Sequence, residues 1–295
     1  MPRAARRPRR LGALVLCAAL ASLVGACTST PDAAGPQERR ASPAPASVSV
    51  SVSYDMPADV ASLVLPTTGE GTRWTQGLDA FGRLAAAWAV DGCARRIGET
   101  VPDSPPPMFT RYSGLPDLDF LGTHGFGEGA AVPGTPPVTR PTTDPPTAPG
   151  PRLQRCLAEG RTVGRELTQV YARLHMSWFA EIAPVDRAPE VRRAYAGLGR
   201  CLAAHEVNTR DEDAFFALVD RRLQAADAAD ARRLGAVYAT CMKPVEAARV
   251  PLREKAAATF RASHSAEIAA LRIELPKKIR ELEKRYRIRI SFPEA

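Results

Sequence analysis

The sequence predicts an all-α body: a helical bundle with a long Pro/Gly-rich loop and a long C-terminal helix. Three observations carry this. Apolar side chains recur at spacings of three and four in several separate stretches, which is one face of an α-helix. No region is dominated by strand-like alternation, so nothing supplies a sheet for a second layer. Residues 98–151 hold 13 of the 27 Pro, a density at which no regular helix persists.

The elements follow in order. Trp74, Leu78, Phe81, Leu84, Ala85 and Trp88 predict an amphipathic helix through about residue 97. After the irregular loop at 101–151, Leu153, Leu157, Leu167, Val170, Tyr171, Leu174 and Trp178 mark a helix over about 152–182. Pro189 opens a third, with Val191, Tyr195, Leu198 and Leu202 on one side. Asp211 caps a fourth, whose face carries Phe215, Val219 and Leu223, and Leu234, Val237, Tyr238 and Cys241 form a fifth. From about 252 a long helix carries Ile268, Leu271, Leu275, Ile279, Leu282 and Tyr286. Pro276 lies inside it and is expected to kink or split it, because an interior Pro costs about 3 kcal/mol. Arg287-Ile288-Arg289-Ile290 alternates with period two, so the end is expected to be extended.

The first 27 residues read as an address rather than as structure. Arg3, Arg6, Arg7, Arg9 and Arg10 precede an apolar run from Leu11 to Val24, the pattern of a secretory signal. Val24-Gly25-Ala26-Cys27 resembles a bacterial lipobox, in which the Cys thiol receives a diacylglycerol and the leader is cut before it. Acyl chains anchor by burying CH₂ groups, each worth about 0.8 kcal/mol. The expectation is an extracytoplasmic protein held to the outer face of the cytoplasmic membrane by lipid on Cys27. Arg9-Arg10-Leu11 leaves both the general and the twin-arginine export routes open. Residues 28–70, rich in Ser, Pro, Ala, Thr and Gly, read as a disordered tether. Within them Ser47 to Ser53 alternates with Val, which suits either a short strand or a locally extended stalk.

Composition then removes some functions. Of 40 basic and 32 acidic residues the leader holds five Arg and no acid, so the rest carries +3 and a nucleic-acid partner loses its support. No run of 18 apolar residues occurs, which excludes a polytopic membrane protein. Aromatics make up 6%, a light core for 295 residues.

Four of the six Cys lie in the body: Cys93, Cys156, Cys201 and Cys241. An even number in an exported chain suggests two disulfides, in one of three connectivities. Cys93 falls near the end of the first helix and Cys156 near the start of the second, adjacent points in an antiparallel hairpin. Cys201 and Cys241 lie near the ends of the third and fifth helices. These placements favour Cys93–Cys156 and Cys201–Cys241. A metal site or a redox thiol is the alternative, but there is no C-x-x-C pair and no regular His/Cys spacing, and no metal or cofactor is expected.

Catalytic patterns are sparse. Gly122 to Gly129 includes His124 and Glu128, a conceivable acid–base pair on a Gly-rich segment, without the Lys-Ser/Thr of a phosphate loop. His205 ends a helix, where the dipole favours it. His175 and His264 have no nucleophilic or acidic partner at a recognised spacing, and no G-x-S-x-G, S-x-x-K or H-E-x-x-H occurs. Residues 277–289 carry seven cations against Glu281 and Glu283; they suit anionic headgroups or wall polymers, or a solvated face with pairs such as Glu281 with Arg285.

Taken together, Cys93 before Gly98, Arg111-Tyr112-Ser113-Gly114, Cys156, Cys201 and Cys241-Met242-Lys243 resemble a family of actinobacterial exported lipoproteins with a four-cysteine helical body. The resemblance covers about residues 74–290. Ala94 and Leu202 stand where Met usually follows the first and third Cys, Tyr238 stands near a usual Asp, and Pro244 and Pro251 interrupt a usually unbroken helix. The family implies the architecture and brings no activity. The expected function is a membrane-anchored binding or structural module, engaging an envelope protein or wall polymer. The alternative is a hydrolase-like enzyme acting on envelope material, with the 101–151 loop near its site.

Overall fold

The computed structural model describes residues 51–101, 109, 115–126, 132–136, 149–225 and 227–294. The leader, Cys27, the tether up to residue 50, the Arg111–Gly114 stretch and Glu128 lie outside them. The described chain is all-α apart from a two-residue pairing of β1 (Val52–Ser53) with β2 (Phe292–Pro293), antiparallel with Val52 opposite Pro293.

Two long helices form the first layer. α1 (Thr72–Arg96) and α3 (Pro151–Ile182) run antiparallel, joined near one end by the Cys93–Cys156 disulfide with Cα atoms 5.4 Å apart. Pro151 opens α3 at the one helical turn where its missing N–H costs nothing. The apolar stripe of α3 turns inward: Leu153, Val163, Leu167, Tyr171, Leu174 and Trp178 are buried. α8 (Ser265–Tyr286) packs on α3 through Ile268, Leu271, Leu275, Ile279 and Leu282, all buried. β2 crosses α1 at Gly77, where a Cβ would stand 2.1 Å from the Phe292 ring.

A second core gathers α2 (Leu118–His124), α4 (Pro189–Tyr195), α5 (Leu198–Ala204), α6 (Glu212–Gln224) and the first half of α7 (Ala228–Ser263). Its centre is aromatic: Phe215 stacks on Tyr238 at 5.3 Å, and Phe126 meets both edge-on. The Cys201–Cys241 disulfide ties α5 to α7, Cα atoms 5.6 Å apart. α7 continues into the first core, where Ala257 and Phe260 are buried.

Several expectations need correction. The tether does not extend to residue 70: a 3₁₀ turn at Val60–Leu63 and the following residues place Ala61, Leu63, Val64 and Leu65 in the first core. Trp178 Nε1 donates to the Pro66 carbonyl at 2.7 Å, and His175 Nδ1 lies 2.7 Å from the Val64 carbonyl, so α3 supplies partners for backbone that would otherwise need water. The Pro-rich loop contains α2, started by Asp117, whose side chain accepts from the Phe120 N–H at 3.0 Å. The single helix expected from Pro189 to Leu202 breaks at Ala196–Gly197 into α4 and α5. Leu223, expected on the buried face of α6, is exposed.

The prolines do not split the helices that hold them. Pro244 and Pro251 lie inside α7 and Pro276 inside α8, and the chain breaks instead at His264. Residues on both sides of Pro276, Leu275 and Ile279, are fully inside the core. Burying a Leu or Ile side chain contributes about 1.5–3 kcal/mol, enough across the stripe to outweigh one Pro. At His264 the ring stacks on Phe260 at 4.0 Å and Ser263 Oγ lies 3.0 Å from His264 Nδ1. The extended end expected after α8 is present. Arg287 ends the helix with φ 54°, and Ile288, Ile290 and Phe292 then turn inward while Arg289 stays exposed.

Candidate functional site

The Gly-rich segment resolves into packing at its described part. α2 lies close along α7, and Gly125, with φ 75°, has a Cβ position only 2.2 Å from the Arg232 Cα. Gly235 on α7 returns the contact, its Cβ position 2.4 Å from the Gly125 Cα. The glycines therefore let two backbones meet. His124 ends α2 with its ring 4.7 Å from Phe120. Glu128 is outside the described residues, so the structure does not bring the two together.

The remaining histidines have structural partners. His175 joins α3 to Val64, and His264 sits on Phe260. His205 is exposed and ends α5, with a ring nitrogen near the sulfurs of Cys201 and Cys241, all within 4.8 Å of one another. Those three would be a metal triad if the sulfurs were thiolates. They are joined to each other instead, and a ligand sulfur must be deprotonated and free.

Sequence reading missed a buried ionic cluster under α4, α6 and α7. Glu246, Arg249 and Arg253, spaced three and seven apart on α7, are 8%, 8% and 3% exposed. Glu246 accepts from Arg249 at 2.8 Å and from Arg253 at 2.6 and 3.3 Å. Arg249 Nε also lies 2.8 Å from Asp186. Glu212 accepts from the hydroxyls of Tyr195, at 3.0 Å, and Tyr238. Burial, with the Glu212 charge, pushes the Tyr195 phenol far up, keeping it a donor. Burial opposes the Arg249 charge, but Glu246 and Asp186 hold its pKa above the ordinary value. Each carboxylate here already serves a cation or phenol, so the cluster locks three helices together. Removing one partner of such a pair leaves an uncompensated buried charge, at a cost of about 3–5 kcal/mol. The signal in sequence was a set of charges on the inward side of an apolar helix.

The basic run of 277–289 is divided by the fold. Lys278 and Arg285 turn to α3, reaching Glu166 at 3.7 and 3.6 Å. Both also pair with Glu281, whose carboxyl the Lys278 hydrogen bond holds below its ordinary value. Lys277, Arg280, Lys284 and Arg287 face solvent. They sit at spacings of three and four, on one side of α8, continuous with Ile273 at 67% exposed. Arg289 lies over the Tyr54 ring at 4.8 Å, and Tyr54 and Met56 are 36% and 37% exposed. Of these cations, Lys277 reaches an acid at 3.8 Å, the exposed Glu274. This face is a candidate recognition surface. No helix among them is long and apolar enough to cross a membrane.

No protein-family profile, curated protein or solved structure matches this chain.

Proposed function

We propose that the protein is an envelope lipoprotein: a helical module that binds or scaffolds other envelope material, held to the outer face of the cytoplasmic membrane through a diacylated Cys27. The observation that carries it is the Arg-rich apolar leader ending in Val24-Gly25-Ala26-Cys27. The two disulfides support the same reading, because such bonds form and persist in oxidising compartments outside the cytoplasm. The resemblance to actinobacterial exported lipoproteins belongs to this reading.

Detergent phase partitioning of protein from intact cells tests it. Wild type is expected in the detergent phase as a processed species. Cys27→Ala is expected to remain unprocessed, at the higher mass of the uncut leader. If wild type is recovered in the aqueous phase, or carries no acyl mass on Cys27, the lipoprotein reading fails.

A further inference from the structure

We propose that the outer face of α8 is a second membrane contact, docking on anionic phospholipid headgroups beside the point where the lipid-bearing segment enters the body. The proposal rests on the lipoprotein reading and deepens it. Lys277, Arg280, Lys284 and Arg287 share one solvent-facing side of the helix, and none of the intervening positions on that side is acidic. The fold itself separates them from the rest of the basic run, because Glu166 and Glu281 engage Lys278 and Arg285 instead. The side left open is thus more uniformly cationic than the sequence run suggests.

Position supplies the second argument. Val52 pairs with Pro293, so the chain arriving from Cys27 enters next to the end of α8. Two residues later Tyr54 holds Arg289 against its ring. Exposed Tyr54 and Met56 there add the aromatic and apolar side chains that sit well at a headgroup boundary. The segment between Cys27 and Val52 can span at most about 85 Å even fully extended, so the anchor keeps the face within that reach of the bilayer. Binding of the second contact becomes intramolecular, and a weak electrostatic attraction suffices. Cations near an anionic surface gain attraction that decays within a Debye length, so the contact is expected to be salt-sensitive while the acyl anchor is not.

The test reconstitutes the full processed protein into vesicles of phosphatidylcholine alone or with a third phosphatidylglycerol. Acetylation of Lys277 and Lys284 is read by mass spectrometry against Lys243 and Lys255 of α7, both exposed. Flotation with both vesicle types reports the anchor. The docking reading expects acetylation of Lys277 and Lys284 to fall about threefold or more on anionic vesicles only. It expects this to reverse when ionic strength rises from about 0.1 to about 1 M, shortening the Debye length from about 10 to 3 Å. It also expects loss of shielding in Arg280→Glu/Arg287→Glu, with the helical circular dichroism unchanged. Equal labelling on the two vesicle types, or shielding that survives the double substitution, overturns the proposal while leaving the anchor standing. Shielding by a soluble glycerol-phosphate polymer but not by anionic vesicles overturns it in favour of a wall polymer. Flotation on neither vesicle overturns the anchor and the docking together, and flotation on anionic vesicles alone upholds docking without the anchor.

Discussion

Asp117 carries two opposed effects. Its side chain caps α2 through the Phe120 N–H, yet it is 6% exposed, and burial raises its carboxyl above the ordinary 3.8 against that hydrogen bond. A raised pKa means that the folded protein holds the proton more tightly than the unfolded chain does. The stabilising contribution is then full below 3.8 and is lost as pH rises through the raised value. At neutral pH the charge is a net cost, although the cap is a gain. Asp117→Asn keeps the accepting oxygen and removes the charge. It is expected to be more stable than wild type at pH 7, with the advantage shrinking as pH falls below the folded pKa. Asp117→Ala removes the cap as well and is expected to lose about 1 kcal/mol relative to Asp117→Asn. Urea unfolding at pH 7 and near pH 3.5 checks both. An Asn variant less stable than wild type at pH 7 would show that the charge is favourable where it sits.

At the scale of elements, the sign of a Gly→Ala substitution depends on what the added methyl meets. In an open helix the change gains up to about 1 kcal/mol. Gly164 on α3 is such a place, its Cβ position 3.8 Å from the nearest atom, the Ala86 Cβ. Gly235 on α7 is the opposite, 2.4 Å from the Gly125 Cα and 2.5 Å from the Leu121 carbonyl. Both neighbours are backbone, which yields only if α2 moves off α7. Gly164→Ala is expected to raise the thermal midpoint. Gly235→Ala is expected to lose about 1–3 kcal/mol and to expose Phe126, read by differential scanning calorimetry and hydrogen exchange over α2. Two shifts of the same sign would mean that α2 is not held where described.

The same elements show how far sequence reading reaches. α1, α3 and α8 were legible because each buries one long stripe, and a 3.6-residue period survives averaging over many turns. α2 was hidden because seven residues between Pro-rich stretches carry almost no period. The α4/α5 break was invisible because Val191, Leu198 and Leu202 keep their spacing across Gly197. Pro276 does not split α8, as one branch of the expectation had it, because local propensity was set against no tertiary term and the burial of Leu275 and Ile279 outweighs it. For the candidate surface, the basic run was plain in sequence. Which cations remain open was not, since that depends on Glu166, a residue of another helix. The buried cluster at Glu246 left a signal on α7, charges on the inward side of an apolar helix, but its full extent was illegible, because Glu212 and Asp186 come from elsewhere in the chain.

At the scale of the whole molecule, two apolar cores share α7; Cys201–Cys241 belongs to the second, while Cys93–Cys156 sits in a smaller separate cluster with Ala94 and Leu153. Cys93–Cys156 closes the α1/α3 hairpin below the Pro-rich loop. Cys201–Cys241 closes a 40-residue separation around α6 and the aromatic centre at Phe215 and Tyr238. On the chain-entropy account a closure of this size contributes roughly 4 kcal/mol. The second core consists of short helices: α4 and α5 have seven residues each, well below the length at which a helix holds by itself. They depend on packing against α7, and the disulfide fixes α5 there. Cys201→Ser/Cys241→Ser is therefore expected to lower global stability by up to that amount. It is expected to raise amide exchange first in α4, α5 and α6, while α1, α3 and α8 keep most of their protection. Cys93→Ser/Cys156→Ser is expected to spare α4–α6 and loosen the ends of α1 and α3 at Val90, Ala94 and Leu153. Hydrogen exchange with mass spectrometry, on both variants under native conditions, separates these patterns. If either substitution opens all helices to the same extent, α7 couples the two cores into one cooperative unit, and loss of either disulfide would then also release the cationic face of α8 from its fixed place beside Tyr54.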